Sequence, residues 1–91
     1  MESIHLEVRG RVQGVGFRWF VMEIARELGL SGWVKNRPDG VVEIAAGGKP
    51  EALTKLEAAV SRGPRGATIE EVRKLAAVAA DSLEVPFGIV R

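Results

Sequence analysis

Gly10-Arg11-Val12-Gln13-Gly14-Val15-Gly16-Phe17-Arg18 separates two hydrophobic periods, and the change between them sets the order of the first elements. Ahead of it, Ile4, Leu6 and Val8 alternate with His5, Glu7 and Arg9, the period of a half-buried strand. Behind it, Phe17, Phe20, Val21, Ile24, Ala25 and Leu28 share one helical face, while Arg18, Glu23, Arg26 and Glu27 fall off it. Gly29 is a natural stop beyond the last turn. A strand, a glycine-rich loop and a helix N-terminus are therefore expected in direct succession. Glycine lets main-chain N–H groups turn inward and approach a ligand closely. A helix N-terminus adds unpaired N–H groups and partial positive charge. Arg18 adds a planar fork of donors that suits a phosphate. The combination describes a cradle for an oxyanion, most simply phosphate.

Outward from this loop, Ser31 to Asn36 reads as a second strand, centred on Trp33 and Val34. Arg37-Pro38-Asp39-Gly40 is a turn, because proline presets φ at its first corner and glycine accepts positive φ near its exit. Val41, Val42 and Ile44 form the return strand of a hairpin, ended by Gly47 and Gly48. Pro50 suits the first turn of a second helix, whose buried face is Leu53, Leu56 and Val60 with Ala52 and Ala59. Arg62-Gly63-Pro64-Arg65-Gly66 breaks that helix. Ile69, Val72, Leu75, Ala76 and Ala79 then have helical spacing, and the pattern alone predicts a third helix there. Phe87, Ile89 and Val90 close the chain as a strand. Strand–helix–strand twice in a short chain suggests an α+β domain with both helices on one face of a sheet, of the ferredoxin-like kind.

A chain of 91 residues predicts a single domain, residues 1–91. A hydrophobic share of 46% fits a globular protein and argues against disorder. With 13 basic and 12 acidic side chains mixed along the chain, the net charge of +1 supplies no long-range attraction to nucleic acid or membrane. The absence of cysteine excludes disulfides, thiolate chemistry and the usual structural zinc sites. No signal peptide or transmembrane run is present, so a cytoplasmic protein is the expectation.

Two familiar phosphate loops fit poorly. A Walker A loop needs Gly-Lys-Ser/Thr, which this stretch lacks. The dinucleotide fingerprint fails as well, because Gly14 and Gly16 supply its first two glycines but Trp19 occupies the third position. A second segment, Gly32-Trp33-Val34-Lys35-Asn36, leads through the turn to Gly40-Val41-Val42-Glu43. By itself Asn36 reads as a turn residue bonded to its own backbone.

Together the two segments resemble the acylphosphatase family. Gly10 to Arg18 matches its Gly-x-Val-Gln-Gly-Val-x-Phe-Arg signature without a gap, and Gly32 to Glu43 matches its Gly-x-Val-x-Asn…Gly-x-Val-Glu signature. Arg62 to Ala67 and Phe87 to Arg91 are also similar to that family. The resemblance implies a ferredoxin-like βαββαβ sandwich, an antiparallel sheet with two helices on one face. It also implies a strand over roughly Ile69 to Val78, against the local helical pattern, and tertiary context overrides propensity in such conflicts.

The implied reaction is hydrolysis of acyl phosphates, carboxyl–phosphate mixed anhydrides, to a carboxylate and inorganic phosphate. By resemblance the backbone N–H groups of Val12, Gln13, Gly14, Val15, Gly16 and Phe17 wrap the phosphoryl oxygens. Arg18 adds charge-assisted hydrogen bonds, and Asn36 orients the attacking water. No metal or organic cofactor is implied. The sequence offers no obvious catalytic base, since His5 lies between Ile4 and Leu6 and reads as a sheet-face residue. A carboxylate leaving group needs no general acid, and in the family mechanism the substrate's own phosphate oxygen takes the water proton. The expected partner is a small-molecule acyl phosphate, with inorganic phosphate as product, no nucleic acid, no membrane, and the chain acting as a monomer.

A rival is a non-hydrolytic phosphate- or carbamoyl-phosphate-binding module, because the family's fold also occurs as a domain in larger carbamoyl-transfer proteins. The chain's end at Arg91, and the presence of both Arg18 and Asn36, favour the free-standing enzyme. An RNA-recognition sheet shares the element order but gives the glycine loop no role. Trp33 reads as sheet packing, and Trp19 either covers the loop or packs at the surface. Lys35 and Arg37 either raise the positive potential beside Asn36 or are solvated charge.

Overall fold

The computed structural model describes residues 2–90; Met1 and Arg91, the last residue of the closing motif, lie outside them. The chain runs β1 (Glu2–Arg11), α1 (Phe17–Glu27), β2 (Ser31–Asn36), β3 (Val42–Gly48), α2 (Pro50–Arg62), β4 (Thr68–Leu75) and β5 (Gly88–Ile89), with a short 3-10 turn at Ala80–Ser82. The five strands form one sheet in the order β4-β1-β3-β2-β5. The first four pair antiparallel as expected. The short β5 adds parallel to β2, Trp33 opposite Gly88 and Val34 opposite Ile89, so the sheet is mixed at that edge. A return from the far side of the sheet to an edge beside β2 sets that direction.

Register explains the layering. Leu6 pairs with Ile44 and Ile44 with Val34; Ile4 pairs with Ala46; Val8 pairs with Val42. These side chains share one face of the sheet, because residues directly opposite across a ladder project to the same side. Val21, Met22 and Ala25 of α1 and Leu53, Leu56 and Val60 of α2 join them in one core cluster, so both helices cover that face. Leu56 and Val60 are fully buried. Truncating Leu56 to alanine costs about 2–5 kcal/mol on that account.

The helix ends follow the sequence. Gly29, at φ 72°, closes α1 with its N–H on the Arg26 carbonyl while the Leu30 N–H reaches the Ala25 carbonyl, a Schellman closure. The Gly40 N–H on the Arg37 carbonyl, 3.1 Å, makes the Arg37–Gly40 turn as read.

The Ile69–Ala79 region is a strand where local spacing favours a helix, and it is shorter than the family resemblance implies. β4 stops at Leu75, where three alanines of poor strand propensity follow within Ala76–Ala79. The first interval of that helical spacing, Ile69 to Val72, has a structural source. Pairing passes from Arg9 opposite Glu71 to Gly10 opposite Ile69, leaving Glu70 as the extra residue of a bulge. The bulge shifts the alternation by one, so Ile69 and Val72, three residues apart, both pack against the core.

Candidate active site

The loop after β1 and the end of β2 meet at one edge of the helix-covered face. Asn36 pairs with Val42, which in turn pairs with Val8, so the Asn36 side chain projects on the same side as the core. Val12, Gly14, Gly16, Phe17, Arg18, Trp19 and Asn36 line a cleft of about 240 Å³ there.

Gly14 and Gly16 stand at φ 79° and 77°, in the left-handed region, and Gly16 is the residue that caps α1. A Cβ at either would meet nothing within 4 Å, so backbone angle and not crowding selects glycine. No side chain caps α1, and its first turn carries no acid. Its leading N–H groups are thus left to whatever occupies the cleft.

Arg18 stands on that first turn, where a cation opposes the helix dipole by about 0.3–1 kcal/mol. Among the described residues it makes no ion pair, whereas Arg9 reaches Glu7 and Glu71, and Arg37 holds both Glu7 and Asp39. Asn36 Oδ1 is buried without a hydrogen-bond partner among the described residues. An orphaned acceptor of that kind costs about 1–3 kcal/mol.

Of the residues read from sequence, Val12, Gly14, Gly16, Phe17, Arg18 and Asn36 line the cleft. Gln13 and Val15 point elsewhere: Val15 packs on the core, and Gln13 Nε2 donates to the carbonyls of Arg37 at 3.0 Å and Val41 at 3.3 Å. That amide straps the loop to the turn following Asn36, a role sequence reasoning missed. Trp19, at the rim, was likewise unresolved by its off-face position.

Lys35 and Arg37 are structural on the opposite face. Glu7, buried under Arg37, has its carboxyl held below the ordinary value, first by the Arg37 hydrogen bond and then by the charges of Arg37, Arg9 and Arg73, against the opposing effect of burial. Lys35 sits 5.2 Å over the Trp33 ring and 3.9 Å from Glu43. His5 contacts Glu43 at 2.6 Å and the edge of Trp33 at 5.9 Å between ring centres, a sheet-face residue as read. A larger cleft of about 610 Å³ lies where the end of α1 meets the start of α2, lined by Glu2, Leu28, Gly29, Gly48, Lys49 and Pro50. It sets one acid against one lysine and gathers no convergent donors, so size does not choose the site. Among the described residues no group of three or more metal-ligating side chains converges, and no helix is long and apolar enough to cross a membrane.

The acylphosphatase family profile matches residues 4–86. An acylphosphatase of Archaeoglobus fulgidus is 46% identical over 89 residues, covering 96% of this chain and all of that one. One of Koribacter versatilis is 52% identical over 65 residues, which are 71% of this chain and 59% of that one. The crystal structure of acylphosphatase from Bacillus subtilis superposes with a TM-score of 0.93 at 40% identity, covering 100% of both chains.

Proposed function

The chain belongs to the acylphosphatase family and hydrolyses acyl phosphates, and we propose that it does so in the cleft between the glycine loop and Asn36. The main-chain N–H groups of Val12 to Phe17 and the guanidinium of Arg18 bind the phosphoryl oxygens. The side-chain amide of Asn36, which lines the cleft, holds and orients the attacking water. The convergence in one cleft of Asn36, a helix start whose first turn carries no acid, and an arginine without an ion pair among the described residues carries the reading.

The chemistry then needs little else. Water attacks opposite the acyl oxygen, charge on the equatorial oxygens is met by fixed donors, and the P–O bond to the carboxylate breaks. The water proton passes to a phosphoryl oxygen, and the carboxylate leaves as a weak base without a general acid. His5, paired with Glu43 on the far face, takes no part. In this reading residues 1–91 act as one unit, a cytoplasmic monomer with a small-molecule acyl phosphate as its substrate and no nucleic-acid partner.

The test is turnover of acetyl phosphate and benzoyl phosphate beside a phosphate monoester, for the wild type and Asn36→Ala, with inorganic phosphate as inhibitor. The anhydrides should be hydrolysed and the monoester left intact, because an alkoxide leaving group requires the acid this site lacks. Asn36→Ala should lose about a hundredfold in kcat with phosphate inhibition unchanged. Near-wild-type turnover by folded Asn36→Ala would refute its role. Phosphate inhibition without turnover in the wild type would select the binding-module alternative.

A further inference from the structure

The cradle addresses the phosphoryl end of the substrate, and the cleft's remaining wall addresses the other. Val12 and Phe17 are each 1% exposed and line the cleft beside Asn36, the proposed site of the water, as its floor. Gly14 and Gly16 are exposed but bring no side chain. Trp19 is left, 61% exposed at the mouth and one residue beyond Arg18 on the first turn of α1. The helix does not need it for packing, since α1 buries Phe17, Val21, Met22 and Ala25 instead. Water held at the floor requires the leaving group to depart on the opposite side, toward the mouth. The acyl group therefore emerges where the indole stands.

We propose that Trp19 is a specificity-determining residue whose indole forms a platform for the acyl half, so that planar aromatic or extended apolar acyl phosphates are preferred over acetyl phosphate. This rests on the assignment of the phosphoryl and water positions above. The platform acts on ground state and transition state alike, so it lowers KM for such substrates more than it raises kcat. Aromatic contact of this kind is worth about threefold to tenfold.

The experiment compares kcat/KM for benzoyl phosphate with that for acetyl phosphate in the wild type, Trp19→Ala and Trp19→Phe, with inorganic phosphate inhibition measured alongside. In Trp19→Ala the preference for benzoyl over acetyl phosphate should fall about threefold to tenfold, mainly through KM for benzoyl phosphate. Trp19→Phe should keep most of it. An unchanged ratio, whether both substrates are unaffected or lose equally, overturns the role of Trp19 and leaves the cradle standing. Failure of the wild type to hydrolyse either substrate brings down the site assignment itself, and the proposal with it.

Discussion

The two helices begin in opposite ways. At α2 the chain enters through extended Lys49, Pro50 fills the first turn where a missing N–H costs nothing, and Glu51 meets the positive end of the dipole. At α1 the entry is a left-handed glycine, no acid is present, and Arg18 adds a full positive charge to the half charge already there. Both helices bury ordinary apolar stripes against the same sheet face. The difference therefore concerns their ends, not their packing. A local rule obeyed at one helix and broken at its neighbour is what the proposed binding role of α1 would require. The arginines repeat the contrast, since Arg37 is held by two carboxylates while Arg18 is held by none among the described residues.

The largest expected effect comes from making α1 start like α2. Arg18→Ala should reduce acyl phosphate turnover at least a hundredfold and weaken inorganic phosphate inhibition. Arg18→Glu should be equally inactive yet raise unfolding stability by about 0.5 kcal/mol, read from the urea midpoint, because an acid suits that end. A destabilised Arg18→Glu would break the comparison. Next in size, Gly16→Ala forces a side chain into the left-handed region and should cost about 1–2 kcal/mol in stability while weakening phosphate inhibition.

Glu7→Gln tests the paired arginine. Because the folded carboxyl titrates below its ordinary 4.5, its contribution is present above that pH and is lost as pH falls through the lowered value. Urea midpoints should therefore fall less steeply in the variant than in the wild type as pH drops below about 4.5, with turnover at neutral pH little changed. The smallest effect belongs to α2: Glu51→Ala should lose about 0.3–1 kcal/mol of stability with activity intact.

Much of this was readable in advance where the signal is local. The strand period of Ile4 to Val8, the helical face from Phe17 and the Pro38–Gly40 turn depend on neighbours in sequence, and all three stand. Asn36 was legible through its motif, but its buried oxygen was not, since burial depends on β3 and the loop arriving from either side. β4 misled the pattern in part because the bulge at Glu70 sets Ile69 and Val72 on one face three residues apart, whereas Leu75 pairs with His5 on the other face and Ala76 and Ala79 lie beyond the strand. The face of Glu7, Arg37 and Asp39 could not be read, since the partners come from β1 and the turn following β2. The Gln13 strap spans a similar gap.

The left-handed glycine loop also bears on how this protein can change over generations. Main-chain donors are supplied by every residue type except proline, so a substitution in the proposed donor loop acts through packing: Val12 and Phe17 are buried, Val15 packs on the core and Gln13 straps the loop. The loop is also disabled by a proline, or by a side chain that rejects left-handed angles at Gly14 or Gly16. Under the proposed phosphoryl-binding role, lineages can drift around the loop but little within it.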